Sequence, residues 1–133
     1  EVPEQKAAVT AFIKRKKLTV GKLDAEEVGI IVERSEETGG KISITDFSVC
    51  HYAQKNNYTL LTGDMNLRKV AIKENISVHG ILFLFDEFVK HAILPPEFAA
   101  DTLKKLKEIN TRLPLDDVNT RINKWENNQI KQI

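Results

Sequence analysis

The sequence predicts an α/β domain with a mostly parallel sheet. Short strand-like runs alternate with helical segments from Leu18 to His91, the rhythm of consecutive βα units. The run Tyr58–Thr62 is followed at once by Gly63-Asp64 and then by a helical pattern, a strand-to-helix junction with a polar residue at the strand end. Beyond Pro95-Pro96 the pattern is helical only. We therefore expect a three-layer α/β/α domain over residues 1–92, a C-terminal helical pair over 93–126, and a polar tail over 127–133 that frays.

Each element has a local reason. Pro3 suits a helix start, and Ala8, Val9, Phe12 and Ile13 recur at helical spacing. The cations Lys14, Arg15, Lys16 and Lys17 then favour the negative end of that helix. Leu18, Val20 and Leu23 alternate with polar residues, which predicts a short strand. Asp24 and Glu27 have capping-box spacing ahead of a helix with the apolar stripe Val28, Ile31 and Val32, ended by Gly39-Gly40. Ser43 opens a third helix whose stripe is Ile44, Phe47, Cys50 and Ala53, and Asn56-Asn57 stops it. Tyr58–Thr62 and Ile76–His79 read as buried strands, with a helix over Asn66–Glu74 between them. Leu82, Phe85 and Val89 mark a helix to His91. One further helix follows Pro95-Pro96, with Phe98, Leu103 and Leu106, and another follows Leu113-Pro114, with Val118, Ile122 and Trp125.

Composition narrows the class. The 133 residues suit a single compact domain, and 41% hydrophobic content supplies a core. Lys plus Arg total 20 against 19 for Asp plus Glu, so the net charge is +1 and any affinity for nucleic acid must come from local charge. Cys50 is the single cysteine, which excludes an intramolecular disulfide and fits a cytoplasmic location. The longest apolar run, Ile81–Phe85, is far short of the roughly 18 residues of a membrane span, so no membrane is expected as a partner.

Asp46 and Asp64 are the residues best placed for chemistry. Asp64 lies beyond the carboxyl end of a strand, where parallel sheets bind ligands, with Gly63 expected to keep the backbone slim beside it. Asp46 lies in the first turn of a helix that leads into that strand. Either residue alone also suits a plain structural role, as a helix cap or as an anion in a first helical turn. Together they can meet at one sheet edge, and two close carboxylates repel unless a cation lies between them. All-oxygen ligation suits Mg²⁺ or Mn²⁺.

The segment Ser43-Ile44-Thr45-Asp46-Phe47-Ser48, followed by Leu61-Thr62-Gly63-Asp64-Met65-Asn66-Leu67-Arg68 and then Val78-His79-Gly80-Ile81-Leu82, resembles the second half of a PIN domain. The spacing of Leu103, Leu106, Leu113 and Trp125 is similar to subgroups with a helical tail, VapC-like toxins among them. The resemblance covers Asp24 to Trp125. It implies a Mg²⁺- or Mn²⁺-dependent ribonuclease that hydrolyses RNA phosphodiester bonds, in some members as the toxin of a toxin–antitoxin pair. RNA, an antitoxin protein and a second copy are the partners it implies. Asp46 matches the family's third acidic position and Asp64 its fourth, both as metal ligands, with Thr62, Asn66 and Arg68 in support. Asn66 stands where another Asp is often found. The resemblance also implies a first strand ending in an Asp, then an essential Glu. No strand precedes the first helix, and Glu1 is the candidate for the Glu. The expectation is that upstream residues supply the missing part and that the chain as it stands is nearly inactive. The alternative is a PIN-like module that binds RNA or protein without cutting.

Other patterns are weaker. His51, His79 and His91 are scattered with no zinc-ligand spacing. Cys50 falls on an apolar stripe and reads as structural, not as a thiol nucleophile paired with His51. Lys14–Lys17 reads as a solvated helix end, whereas Arg68 and Lys69 follow Asp64 by one helical turn and suit phosphate. Phe83, Phe85 and Phe88 read as core or dimer interface ahead of a base-stacking surface. A haloacid-dehalogenase-type phosphatase would need an Asp-x-Asp motif, which the sequence lacks.

Overall fold

The elements run α1 (Pro3–Lys14), α2 (Ala25–Glu37), α3 (Ile44–Asn56), β1 (Leu60–Leu61), α4 (Met65–Lys73), β2 (Val78–His79), α5 (Ile81–Lys90), α6 (Pro96–Ile109) and α7 (Leu115–Ile130). The computed structural model describes residues 2–130, with side chains through residue 127. Among these residues the sheet consists of β1 paired with β2. The Leu60 N–H donates to the Ser77 carbonyl at 2.8 Å, and the Thr62 N–H donates to the His79 carbonyl at 2.9 Å. Both partners advance by two in the same direction, so the pair is parallel. The chain packs as two compact units, one formed by the chain up to Leu60 and again from Met65 to Ser77, the other by Leu61–Asp64 and the chain from Val78 onward.

The first unit holds α1 to α4. Its α2 begins with a complete capping box: the Glu27 N–H donates to Asp24 Oδ1 at 2.9 Å, and the Asp24 N–H donates to Glu27 Oε2 at 2.9 Å. It ends at Gly39 and Gly40, both at positive φ, where a side chain would be strained. Its α3 ends at Asn57 in the left-handed region, which Asn tolerates better than most residues. Ile31, Ile42 and Phe47, with Leu23 and Val70 against them, form one cluster among these helices, and Cys50, Ala53, Leu60, Leu67, Ala71 and Ile76 are buried as well.

One expectation fails here. No strand forms over Leu18–Leu23. The Lys17 and Leu18 N–H groups both turn back to the Phe12 carbonyl, and Leu18 and Val20 remain in solvent. Without a partner strand, alternation alone does not make a ladder. Gly21 instead lies against the Tyr52 ring, 2.5 Å from where a Cβ would sit, so a side chain there would require the ring to shift. The apolar spacing of α1 predicts the helix correctly, but that helix buries no residue, and Phe12 is 52% exposed.

The second unit has a core of its own. Leu82 and Phe85 of α5, Ala99, Ala100 and Leu103 of α6, Leu113, and Val118, Ile122 and Trp125 of α7 form one buried cluster. Pro96 starts α6 at a position where a missing N–H costs nothing. Leu103 and Val118 are fully buried. The guanidinium of Arg121 on α7 donates to both Asp86 oxygens on α5 at 2.7–3.0 Å. Phe98, expected to join the stripe of α6, is exposed. The last helix runs to Ile130, into the stretch expected to fray; residues 131–133 lie outside the described residues.

Candidate functional site

Asp64 follows directly from the short strand β1. After Thr62 pairs with His79, the chain turns through Gly63, and the Asp64 N–H donates to Thr62 Oγ1 at 3.1 Å. That two-residue hydroxyl turn fixes the Asp64 backbone at the carboxyl end of the parallel pair, just ahead of α4. Thr62 is thus a positioning residue. Asp64 is exposed. A Cβ at Gly63 would meet no other part of the chain.

Asp46 sits in the first turn of α3 in the first unit. Ser43 caps this helix: its Oγ accepts from the Asp46 N–H at 3.0 Å and donates to Asp46 Oδ2 at 2.7 Å. The half-buried carboxylate is therefore held by its own cap and favoured by the helix dipole. Ser43 is the supporting residue that sequence reasoning passed over, although Ser-x-x-Asp is itself a cap signature. Asn66 and Arg68 lie in the first turn of α4, Asn66 exposed and Arg68 half-buried. Asp46 belongs to the first unit and Asp64 to the second. Glu1 lies outside the described residues.

A family model described as a PIN domain matches residues 1–127. The chain belongs to the PIN-domain family. No curated protein and no solved structure matches it. Membership makes the fold class α/β, and the match runs through the helical pair α6 and α7 as well as the segments that carry Asp46 and Asp64.

The donors expected in this PIN domain are all hard oxygens, the right chemistry for Mg²⁺ or Mn²⁺. Their number is short. Among the described residues no group of three or more His, Cys, Asp or Glu could hold a metal ion. Two of the expected oxygens are also engaged, Asp46 Oδ2 with the Ser43 hydroxyl and Thr62 Oγ1 with the Asp64 N–H. The described residues do not make a self-sufficient cation site.

Three further clusters escaped sequence reasoning. Glu27, 8% exposed, receives Lys55 Nζ at 2.6 Å and has His51 Nε2 at 3.1 Å. The Lys55 ammonium, the Asp24 N–H and His51 hold its carboxyl down at about 2 against the opposing effect of burial. His51 and Lys55 stand one turn apart on α3, which was the legible signal. Arg34 is ion-paired with Glu74 and lies 4.7 Å over the Phe47 ring, a cation–π contact. His79 stacks on Phe83. Cys50, in contrast, is as expected: fully buried, its thiol pushed up to about 11 by burial and by the carboxylates Glu74 and Asp46. A thiol so placed is not a nucleophile.

Proposed function

We propose that this PIN domain serves a ribonuclease that hydrolyses RNA phosphodiester bonds with Mg²⁺ or Mn²⁺, Asp46 and Asp64 being two of its metal-binding carboxylates. Family membership supports the reading, and the observation that carries it is the fixing of Asp64 at the carboxyl end of the parallel strands by the Thr62 hydroxyl. A bound divalent cation supplies charge neutralisation at the phosphate and a water of lowered pKa. Two carboxylates do not hold Mg²⁺ firmly, so the reading requires further acidic ligands, Glu1 being one candidate. Thr62 holds the Asp64 backbone, Asn66 orients water or metal, and the Arg68 guanidinium attracts a substrate phosphate. The same reading includes a three-layer sheet larger than β1 and β2, a cytoplasmic location, a second copy as partner, and a toxin role opposed by an antitoxin protein.

A second reading is a PIN-like module that binds RNA or protein without cutting. Asn66, where an acidic residue is often found, favours it by lowering the charge available to a cation. Cleavage of single-stranded RNA by the natural protein separates the two. The nuclease reading expects cleavage with Mg²⁺ or Mn²⁺, loss of it with EDTA, and loss of it in Asp64→Asn with the fold intact. Cleavage that survives both the chelator and the substitution contradicts the metal-nuclease reading.

A further inference from the structure

We propose that the stacked pair His79 and Phe83 is a nucleobase-binding surface beside Asp64, which makes the protein read RNA through exposed bases as well as through phosphate. The inference rests on the nuclease reading only for the identity of the ligand. The two rings lie nearly parallel, 7° apart in plane, with centroids 3.9 Å apart. His79 closes β2, and Phe83 lies in the first turn of α5, its N–H donating to the Gly80 carbonyl at 3.1 Å. The Gly80 turn between strand and helix brings the rings together.

Two facts separate this pair from ordinary core packing. Phe85, two positions on, is buried in the cluster around Leu103 and Trp125, whereas Phe83 is not part of that cluster. Both His79 and Phe83 are half-buried and keep part of their surface in solvent. Such a pair keeps aromatic surface within reach of a further flat group. Its place is also telling. The His79 carbonyl accepts from the Thr62 N–H, and Thr62 in turn anchors Asp64. The ring pair is therefore one strand away from the segment that ends in the candidate ligand, in the same unit. Every base has a π-face, so such a platform serves single-stranded RNA with unstacked bases and offers little to a duplex.

The test is binding of the natural protein to a fluorescein-labelled eight-nucleotide single-stranded RNA and to the same strand carrying abasic residues, by anisotropy, in Ca²⁺ in place of Mg²⁺. The wild type should prefer the intact strand by about tenfold or more, the scale of one to two stacked bases. His79→Ala and Phe83→Leu should each erase that preference while leaving abasic binding and its salt dependence unchanged. Phe83→Trp should keep it. A wild-type ratio near one overturns the proposal without any variant, and so does equal weakening toward both strands together with a fall in melting temperature, the mark of a structural pair. Base-dependent binding without cleavage in Mg²⁺ sinks the nuclease reading and leaves this inference standing. Cleavage with no base dependence does the reverse.

Discussion

The two compact units differ in the polar groups they bury, which among the described residues lie in the first. The second is an apolar core, with nine buried side chains from α5, α6, α7 and the loop at Leu113 in one cluster. The first also buries nine apolar side chains, Ile31, Ile42, Phe47, Cys50, Ala53, Leu60, Leu67, Ala71 and Ile76, but adds the buried polar residues Glu27 and Ser35, with Glu27 tied to the Asp24 cap, His51 and Lys55, and Arg34 paired with Glu74. Its α1 buries nothing. Apolar burial is indifferent to pH and little affected by moderate salt, whereas charged ties respond to acid. The lesson is that two units with apolar cores of similar size can differ in how far a buried charge contributes to them. The candidate carboxylates are divided between them, Asp46 in the first unit and Asp64 in the second.

The largest effect expected from this contrast is a cavity in the second unit. Leu103 is fully buried between α6 and α7, so Leu103→Ala should cost about 2–5 kcal/mol. Urea unfolding checks it, with hydrogen exchange showing the loss in α6 and α7. A cost under about 1 kcal/mol would mean that this core is not close-packed.

Acid should act on the other unit. The Glu27 carboxyl titrates at about 2 in the folded chain against an ordinary 4.5, so its folded value is depressed. Its contribution is present in full above pH 4.5 and is lost as pH falls from there toward 2. Hydrogen exchange between pH 5 and 2 should show α2 and α3 loosening before α6 and α7, and Glu27→Gln should flatten that dependence. Simultaneous loosening of all helices in both proteins would contradict the division. The smallest effect is expected at Lys104, whose ion pairs with Glu126 and Asp101 are at the surface of the second unit. Lys104→Ala should leave the melting temperature nearly unchanged at any salt concentration. A large fall would show that charge matters in the second unit as well.

Much of this was readable in the chain, for reasons that differ by element. Caps are local, so Asp24, Gly39-Gly40, Ser43 and Asn57 marked helix ends that the structure repeats. The Leu103–Trp125 packing followed from stripes on two adjacent helices. The strand over Leu18–Leu23 failed because a strand needs a partner, which alternation does not specify. The exposure of Phe12 and Phe98 was hidden for a similar reason, since spacing selects a helix but not what covers its face. At the candidate site, Asp46 and Asp64 stood out by position. The Thr62 turn, the Ser43 hydroxyl and the His79–Phe83 stack did not, because each depends on side-chain geometry across a turn or between strand and helix.

The central proposal is that Asp46 and Asp64 serve a single cation. The cleavage rates of the natural protein, Asp46→Asn, Asp64→Asn and the double variant with saturating Mn²⁺ test it most directly. Ligands of one metal act as a unit, so each single substitution should remove nearly all cleavage and the double should be little worse than either. Two partial losses that multiply in the double variant would show two independent roles and contradict the shared site.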